Sequence, residues 1–253
     1  MRKSRTIKLL GISNNMSIGP VIFKGMKIGV LPDDLSFVLD ADQDESRHLI
    51  ISTSYNVIPI WIKAAHEHMK LSYKANENLL KNWNEDPDNQ KQLLTAELIP
   101  SIQVFVSCGI AIDSLYDLLR PFSKLTEQDI ATWKRKKTKR SAQIVEVIRR
   151  VYNLKKEDLK KFQLNISEII QWRDWAVHPS NEIRNTITRS DLNVGVDWKF
   201  GAYRYTNSER CFTSTVQMLI WLLEQPNKNL DVAYEIEFIF ESLKELGVIQ
   251  VNT

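Results

Sequence analysis

The chain has 253 residues, of which 43% are hydrophobic and 26% charged, with only eight glycines and eight prolines. That length and apolar content suffice for a real core in one or two domains, and they exclude a disordered or fibrous chain. The formal net charge of +3 is small, so the chain as a whole does not demand a polyanionic partner.

Roughly the first 43 residues differ from the rest. TIKLLGISNN, GPVIFKG, KIGVLPDD and LSFVLD are short apolar pieces divided by Gly, Asn, Pro and Asp, which is strand-and-turn punctuation. It predicts a small N-terminal β element or extended arm over residues 1–43, packed on a helical domain of residues 44–253. The glycines of GISNNMSIG are not followed by Lys-Ser or Lys-Thr, so they make no P-loop. From about Asp44 the pattern turns helical. An apolar stripe through Ile58, Ile62, Ala65, Met69 and Tyr73 keeps close to helical spacing, with Pro59 kinking or restarting the helix. NWNEDPDN reads as a loop. A second long apolar helix follows, kinked or broken at Pro100 and ended at Arg120-Pro121.

Residues 124–161 hold thirteen Lys and Arg against five Asp and Glu, an excess of eight that leaves the remainder net acidic by five. Thr126, with Gln128 and Asp129 close behind, marks a helix start. The run KRKKTKR supplies Lys134, Arg135, Lys136, Lys137, Lys139 and Arg140 as cations for RNA phosphates, and Trp133 beside it could stack a base. A solvated loop or helix face accounts for the same residues. KEDLKKFQLNISEIIQWRDWAVH is amphipathic, with Leu159, Phe162, Ile166, Ile169, Trp172 and Ala176 on one side. VGVDWKFGAYRYTNSE alternates like a short strand or hairpin near residues 194–206, bent at Gly201. Two apolar-faced helices close the chain, the second ended by Gly247. The expected fold is mostly α, a bundle of six or seven helices with a minor β component.

Cys108 and Cys211 allow one disulfide. Cys108 lies in an apolar run and reads as a buried thiol, and the lack of a disulfide framework favours a reducing interior. The basic N-terminal stretch has no continuous apolar core of a signal peptide, and the longest apolar run, residues 102–112, is too short to span a bilayer. A cytoplasmic protein with no membrane partner is expected. His66 and His68 stand two apart, on opposite sides of a helix, which suits a metal poorly. No Cys–His ligand cluster, nucleophile elbow or dinucleotide fingerprint occurs, so neither metal nor cofactor is expected.

The stretch WRDWAVHPS concentrates the chemistry. Asp174 and His178 are four apart and share a helix face, whereas Arg173 and His178 are five apart and splay on an ideal helix. Pro179 disfavours α geometry at His178, so the imidazole leaves the helix track and can turn towards Arg173 or Asp174. A histidine transfers protons near neutrality, an arginine grips a phosphate and stabilises developing charge, and a carboxylate one turn away orients either of them. Those are the parts needed to cleave RNA through its own 2′-hydroxyl.

Arg173, Asp174, Trp175-Ala176-Val177 and His178 together resemble the Arg-polar-three residues-His motif of HEPN (higher eukaryotes and prokaryotes nucleotide-binding) domains, which are all-α bundles. The earlier apolar helix VSCGIAIDSLYDLLR resembles the helix that packs against the motif in such domains. The resemblance covers residues 44–224 by architecture and only the six motif residues specifically. It implies a metal-independent endoribonuclease acting as a homodimer whose two Arg–His sets line one cleft. A role as a toxin or anti-phage defence effector is implied as well, with RNA as substrate and an antitoxin or other regulatory protein as a further partner. His178 would be the general acid/base, Arg173 the phosphate ligand and Asp174 their support. Asp113, which interrupts an apolar run, would be a buried partner of Arg173, unless it is simply exposed. One branch of the family carries a tyrosine two residues after the histidine; here that position is Ser180, so modification of a motif tyrosine is not expected.

Two plainer readings account for the same residues. His178 could interact with the last helix carbonyls while Arg173 sits in a surface ion pair. Alternatively, the bundle could serve as a non-catalytic module for dimerisation or for binding protein or nucleic acid.

Overall fold

The computed structural model describes residues 21–23, 25–29, 35–37, 47–49, 52–178, 183–226 and 229–249. The pieces TIKLLGISNN and GISNNMSIG, with Asp44, Pro179 and Ser180, lie outside the described residues. The chain divides into two compact units, Met1–Tyr55 and Asn56–Thr253.

In the first unit β1 (Met26–Gly29) pairs antiparallel with β4 (Ser52–Tyr55), Met26 opposite Tyr55. Between them in sequence, β2 (Leu35–Phe37) pairs antiparallel with β3 (Arg47–Leu49). A turn leads into β1: the Met26 N–H donates to the Phe23 carbonyl at 3.2 Å, and Gly25 takes the positive φ of 93° that the turn needs. The helical pattern expected from Asp44 is corrected by β3 and β4, which carry the β region to Tyr55. Pro59 supplies the reason. Its missing N–H costs nothing in the first turn of a helix and its fixed φ suits that position, so it favours a helix start at Ile58 over a helix reaching back to residue 44.

The second unit is a helical bundle. α1 (Ile58–Asn82) and α2 (Pro87–Leu119) form its longest hairpin, joined by the loop that NWNEDPDN predicts. Asp86 caps α2 by accepting from the Asp88 N–H at 3.2 Å. α2 does not break at Pro100. Val104, Phe105, Cys108, Ala111, Ile112 and Leu115 behind it are all buried, and that burial outweighs the cost of one lost backbone hydrogen bond, about 3 kcal/mol. A 3-10 turn (Arg120–Ser123) ends the helix where Arg120-Pro121 predicts.

α3 (Glu127–Lys136) begins with a capping box between Thr126 and Asp129, and α4 (Arg140–Tyr152) returns from it. α5 (Lys156–Val177) follows, then a hairpin of β5 (Ile187–Arg189) and β6 (Val194–Val196). The strand expected near 194–206 is therefore confined to β6, and its partner precedes it. Residues beyond it form a short helix, α6 (Trp198–Ala202). Gly201 is not a bend but a point of close approach: a Cβ there would come within 2.1 Å of the Ile187 side chain. α7 (Tyr205–Glu224) and α8 (Leu230–Glu245) complete the bundle. Gly247, at φ 67°, closes α8 as expected.

The architecture is mostly helical with small antiparallel strand pairs, as the periodicity predicts. α2 is the centre of the second unit, packing on α1, α4, α5, α6 and α7. The stretch Pro87–Phe122 is long and apolar enough to cross a membrane, longer than its continuous apolar run suggests, but more than half of its most apolar window is buried in the bundle. Its apolar residues make the core.

Candidate functional site

α5 carries the motif, held by the face its periodicity predicts. Leu159, Ile166 and Ile169 are buried, and Phe162, Trp172 and Ala176 pack on the same core. An aromatic layer fixes its last turns. Trp172 stacks on Phe105 with centroids 5.3 Å apart, and its carbonyl accepts from the Tyr203 hydroxyl at 2.9 Å. Trp175 meets Trp198 edge-on, and the Arg184 guanidinium lies 5.0 and 4.5 Å from their two ring centroids.

Arg173 sits beside this layer, against α2. Gly109 makes room for its stem, since a Cβ on Gly109 would lie 2.8–2.9 Å from the Arg173 Cβ, Cγ and Cδ. The Arg173 side chain is only 15% exposed. Its Nη1 donates to Asp113 Oδ2, and its Nε and Nη2 both donate to Asp174 Oδ1, at 3.0 and 2.8 Å. Burial works against its charge, but the hydrogen bonds to Asp113 and Asp174 outweigh that and raise its pKa. Among the described residues three of its five N–H groups find these carboxylates.

The other oxygen of Asp113 is also taken. Arg140, the first residue of α4, donates from Nε to Asp113 Oδ1 at 2.8 Å, lies 3.6 Å from Asp117 Oδ1 and stacks 3.7 Å over the Tyr116 ring. Asp113 therefore bridges two arginines from α4 and α5. It is the half-buried partner of Arg173 that its place in an apolar run suggests.

α5 ends at Val177, and His178 stands exposed just beyond. Its backbone N–H still donates to the Asp174 carbonyl at 2.9 Å, so the last helical hydrogen bond of α5 closes on the histidine. Among the described residues no hydrogen bond joins its ring to Arg173 or Asp174. Asp174 orients the arginine here and not the imidazole, because the neighbouring guanidinium reaches it first.

The basic run is not one helix face. α3 stops at Lys136 with Lys137 in the left-handed region, and the Thr138 N–H closes on the Trp133 carbonyl at 2.9 Å. Lys134, Arg135, Lys136, Lys137 and Lys139 are exposed on this tight turn. Two residues of the run are placed differently from the exposed lysines. Trp133 packs on the helical core, which removes part of its ring from any base. Arg140 turns inward to Asp113 and Tyr116, where its charge gains two carboxylates and an aromatic face. Sequence reasoning missed Arg140 as the second arginine on Asp113, and it missed Gly109 and Arg184. Only the tyrosine and aspartates of IDSLYD, an arginine's natural surroundings, hinted at the first.

Cys108 and Cys211 are both buried and free of a disulfide. His66 stacks on Phe212 at 5.4 Å, its Nδ1 buried without a hydrogen bond. Among the described residues no group of three or more His, Cys, Asp and Glu could hold a metal. Compared with protein-family models, curated proteins and solved structures, the chain matches none.

Proposed function

We propose that the protein is a metal-independent endoribonuclease of HEPN type, acting in the cytoplasm as a homodimer. The observation that carries this reading is the Arg140–Asp113–Arg173 bridge. It sets the exposed basic turn of residues 134–139 beside the Arg173–Asp174 pair, one helical turn before an exposed His178. Basic charge before α4, an arginine tied to α4 through Asp113 and an exposed imidazole at the end of α5 are the parts such a site would use.

In the proposed reaction an imidazole takes the proton of the RNA 2′-hydroxyl, and that oxygen attacks the adjacent phosphorus. Arg173 binds the phosphate as its charge builds, and the 5′-oxygen leaves with a proton from an imidazolium. The products are a 2′,3′-cyclic phosphate, opening to a 3′-phosphate, and a 5′-hydroxyl. One His178 per chain serves one of the two proton transfers, and a second copy of the chain brings the other. Service as a toxin or defence effector, held in check by an antitoxin or other regulator, rests on the family resemblance alone.

The test is incubation of the purified chain with total RNA and tRNA in EDTA, followed by end-group analysis. His178→Ala is expected to lose about 10²–10⁴-fold of the cleavage rate. Arg173→Ala is expected to do the same, with Arg173→Lys as a control that keeps the charge on Asp113 and circular dichroism to verify folding. Equal cleavage by wild type and His178→Ala overturns the proposal.

A second reading has its own support. Arg173 is neutralised by two carboxylates, whereas the cations of the α3–α4 turn stand exposed. On that reading the bundle binds RNA without cutting it, and salt-sensitive binding survives His178→Ala.

A further inference from the structure

We propose that the cleft between α5 and α7 is a binding site for a small, neutral heteroaromatic molecule. α5 and α7 both lean on α2 and touch one another only sparingly, which leaves a cavity of about 240 Å³ between them. That is below the roughly 300–1,000 Å³ of sites for drug-sized ligands, and it suits one ring or two fused rings.

The apolar wall is Phe105 and Trp172, stacked on each other with their planes 18° apart. Both are held before any ligand arrives. Phe105 is buried in the core, and Trp172 is pinned through its carbonyl to Tyr203. A rigid aromatic wall favours a flat partner and costs little ordering on binding.

Two residues of the polar side are uncommitted among the described residues. Asn165 on α5 and Ser214 on α7 both line the cleft, and neither side chain makes a hydrogen bond to the protein among the described residues. Each is half-buried and offers both a donor and an acceptor. Half-buried polar groups without protein partners are satisfied by water or by a ligand, and these two face the same space as the aromatic wall. At the cleft, Glu168 and Arg210 neutralise each other in an ion pair. A charged ligand meets no net opposite charge in that pair, and a neutral ring bearing an N–H and a carbonyl or ring nitrogen needs none.

The site is separate from the proposed cleavage chemistry. Trp172 and Arg173 are neighbours on α5, about 100° apart around the helix. The tryptophan lines the cleft, and the arginine reaches Asp113 on α2.

The experiment titrates adenine, uracil, nicotinamide and indole into the full chain, read by saturation-transfer NMR and equilibrium dialysis, with benzamide and benzoate as a neutral and charged pair. Saturable binding of at least one of the four rings is expected, with benzamide bound more tightly than benzoate. Asn165→Leu and Ser214→Phe should each weaken the binding at least tenfold, and His178→Ala should leave it unchanged. Asn165→Leu removes the polar group from a half-buried position, so it reports even if the larger Ser214→Phe change disturbs folding. Absence of saturable binding by all four rings overturns the proposal, as does undiminished binding in folded Asn165→Leu protein.

Discussion

Arg189 and Glu97 are each about 1% exposed and paired with one another. Glu97 also accepts from the Asn76 amide and the Tyr205 N–H, both at 2.9 Å, while Arg189 holds Asp191. Removing one member of a buried pair strands the other, so Arg189→Ala should lower the unfolding free energy by about 3–5 kcal/mol. Urea unfolding with a shifted midpoint and an unchanged slope would measure that loss. His66 gives a pH prediction. Burial, then Lys70, lowers its pKa from the ordinary 6.5, with Glu67 opposing and Lys63 assisting. The folded chain therefore refuses a proton that the unfolded chain accepts. The stability this group contributes is complete above about pH 6.5 and declines as pH falls through the lower folded value. The melting temperature should drop as pH falls below about 6.5, and His66→Phe should flatten that drop; an equal slope in both proteins would exclude His66 as its cause. Neither effect is legible in the sequence. Arg189 stands in a short strand 92 residues from Glu97, and HEH does not reveal that one of its histidines stacks on Phe212.

At the level of elements, the packing of α5 on α2 decides where the candidate arginine sits. A glycine inside a helix costs roughly 0.5–1 kcal/mol relative to alanine, so Gly109→Ala would stabilise α2 if nothing opposed it. Arg173 opposes it through its Cβ, Cγ and Cδ, and the first of these is fixed to the α5 backbone and cannot swing away. The net expectation is destabilisation of about 1–3 kcal/mol by overpacking, with loss of the proposed RNA cleavage as the guanidinium leaves Asp113. Thermal unfolding and a cleavage assay on the same variant check both parts, and a stabilised, fully active Gly109→Ala would refute them. The periodicity of α5 itself is readable, because Leu159, Ile166 and Ile169 recur at helical spacing and all are buried. Sequence and structure part where local signals compete with tertiary burial. Pro100 marks a break, yet α2 runs through it. DWKFGAY alternates like a strand, yet it forms α6 under the β5–β6 hairpin, where Gly201 admits Ile187.

For the molecule as a whole, the distribution of charge matters more than its sum. The exposed cations at Lys134, Arg135, Lys136, Lys137 and Lys139 are the surface a single-stranded RNA would meet on either functional reading. Replacing them with alanine should flatten the dependence of log K on log salt by about 0.7 for each phosphate they no longer neutralise. An unchanged salt slope in a fluorescence-anisotropy titration would remove the turn from the RNA interface. The sequence by itself determined the helical class and most helix ends. Those properties rest on local rules: apolar spacing, proline and glycine stops, capping residues. It also marked Asp113, because a carboxylate in an apolar run needs a partner. Only the tertiary structure decided that Arg140 shares Asp113 with Arg173, that Asp174 holds the arginine and not His178, and that α5 and α7 leave a cleft. Those outcomes depend on which side chains from distant segments arrive at the same carboxylate or the same space, and helix packing sets that, not spacing along the chain.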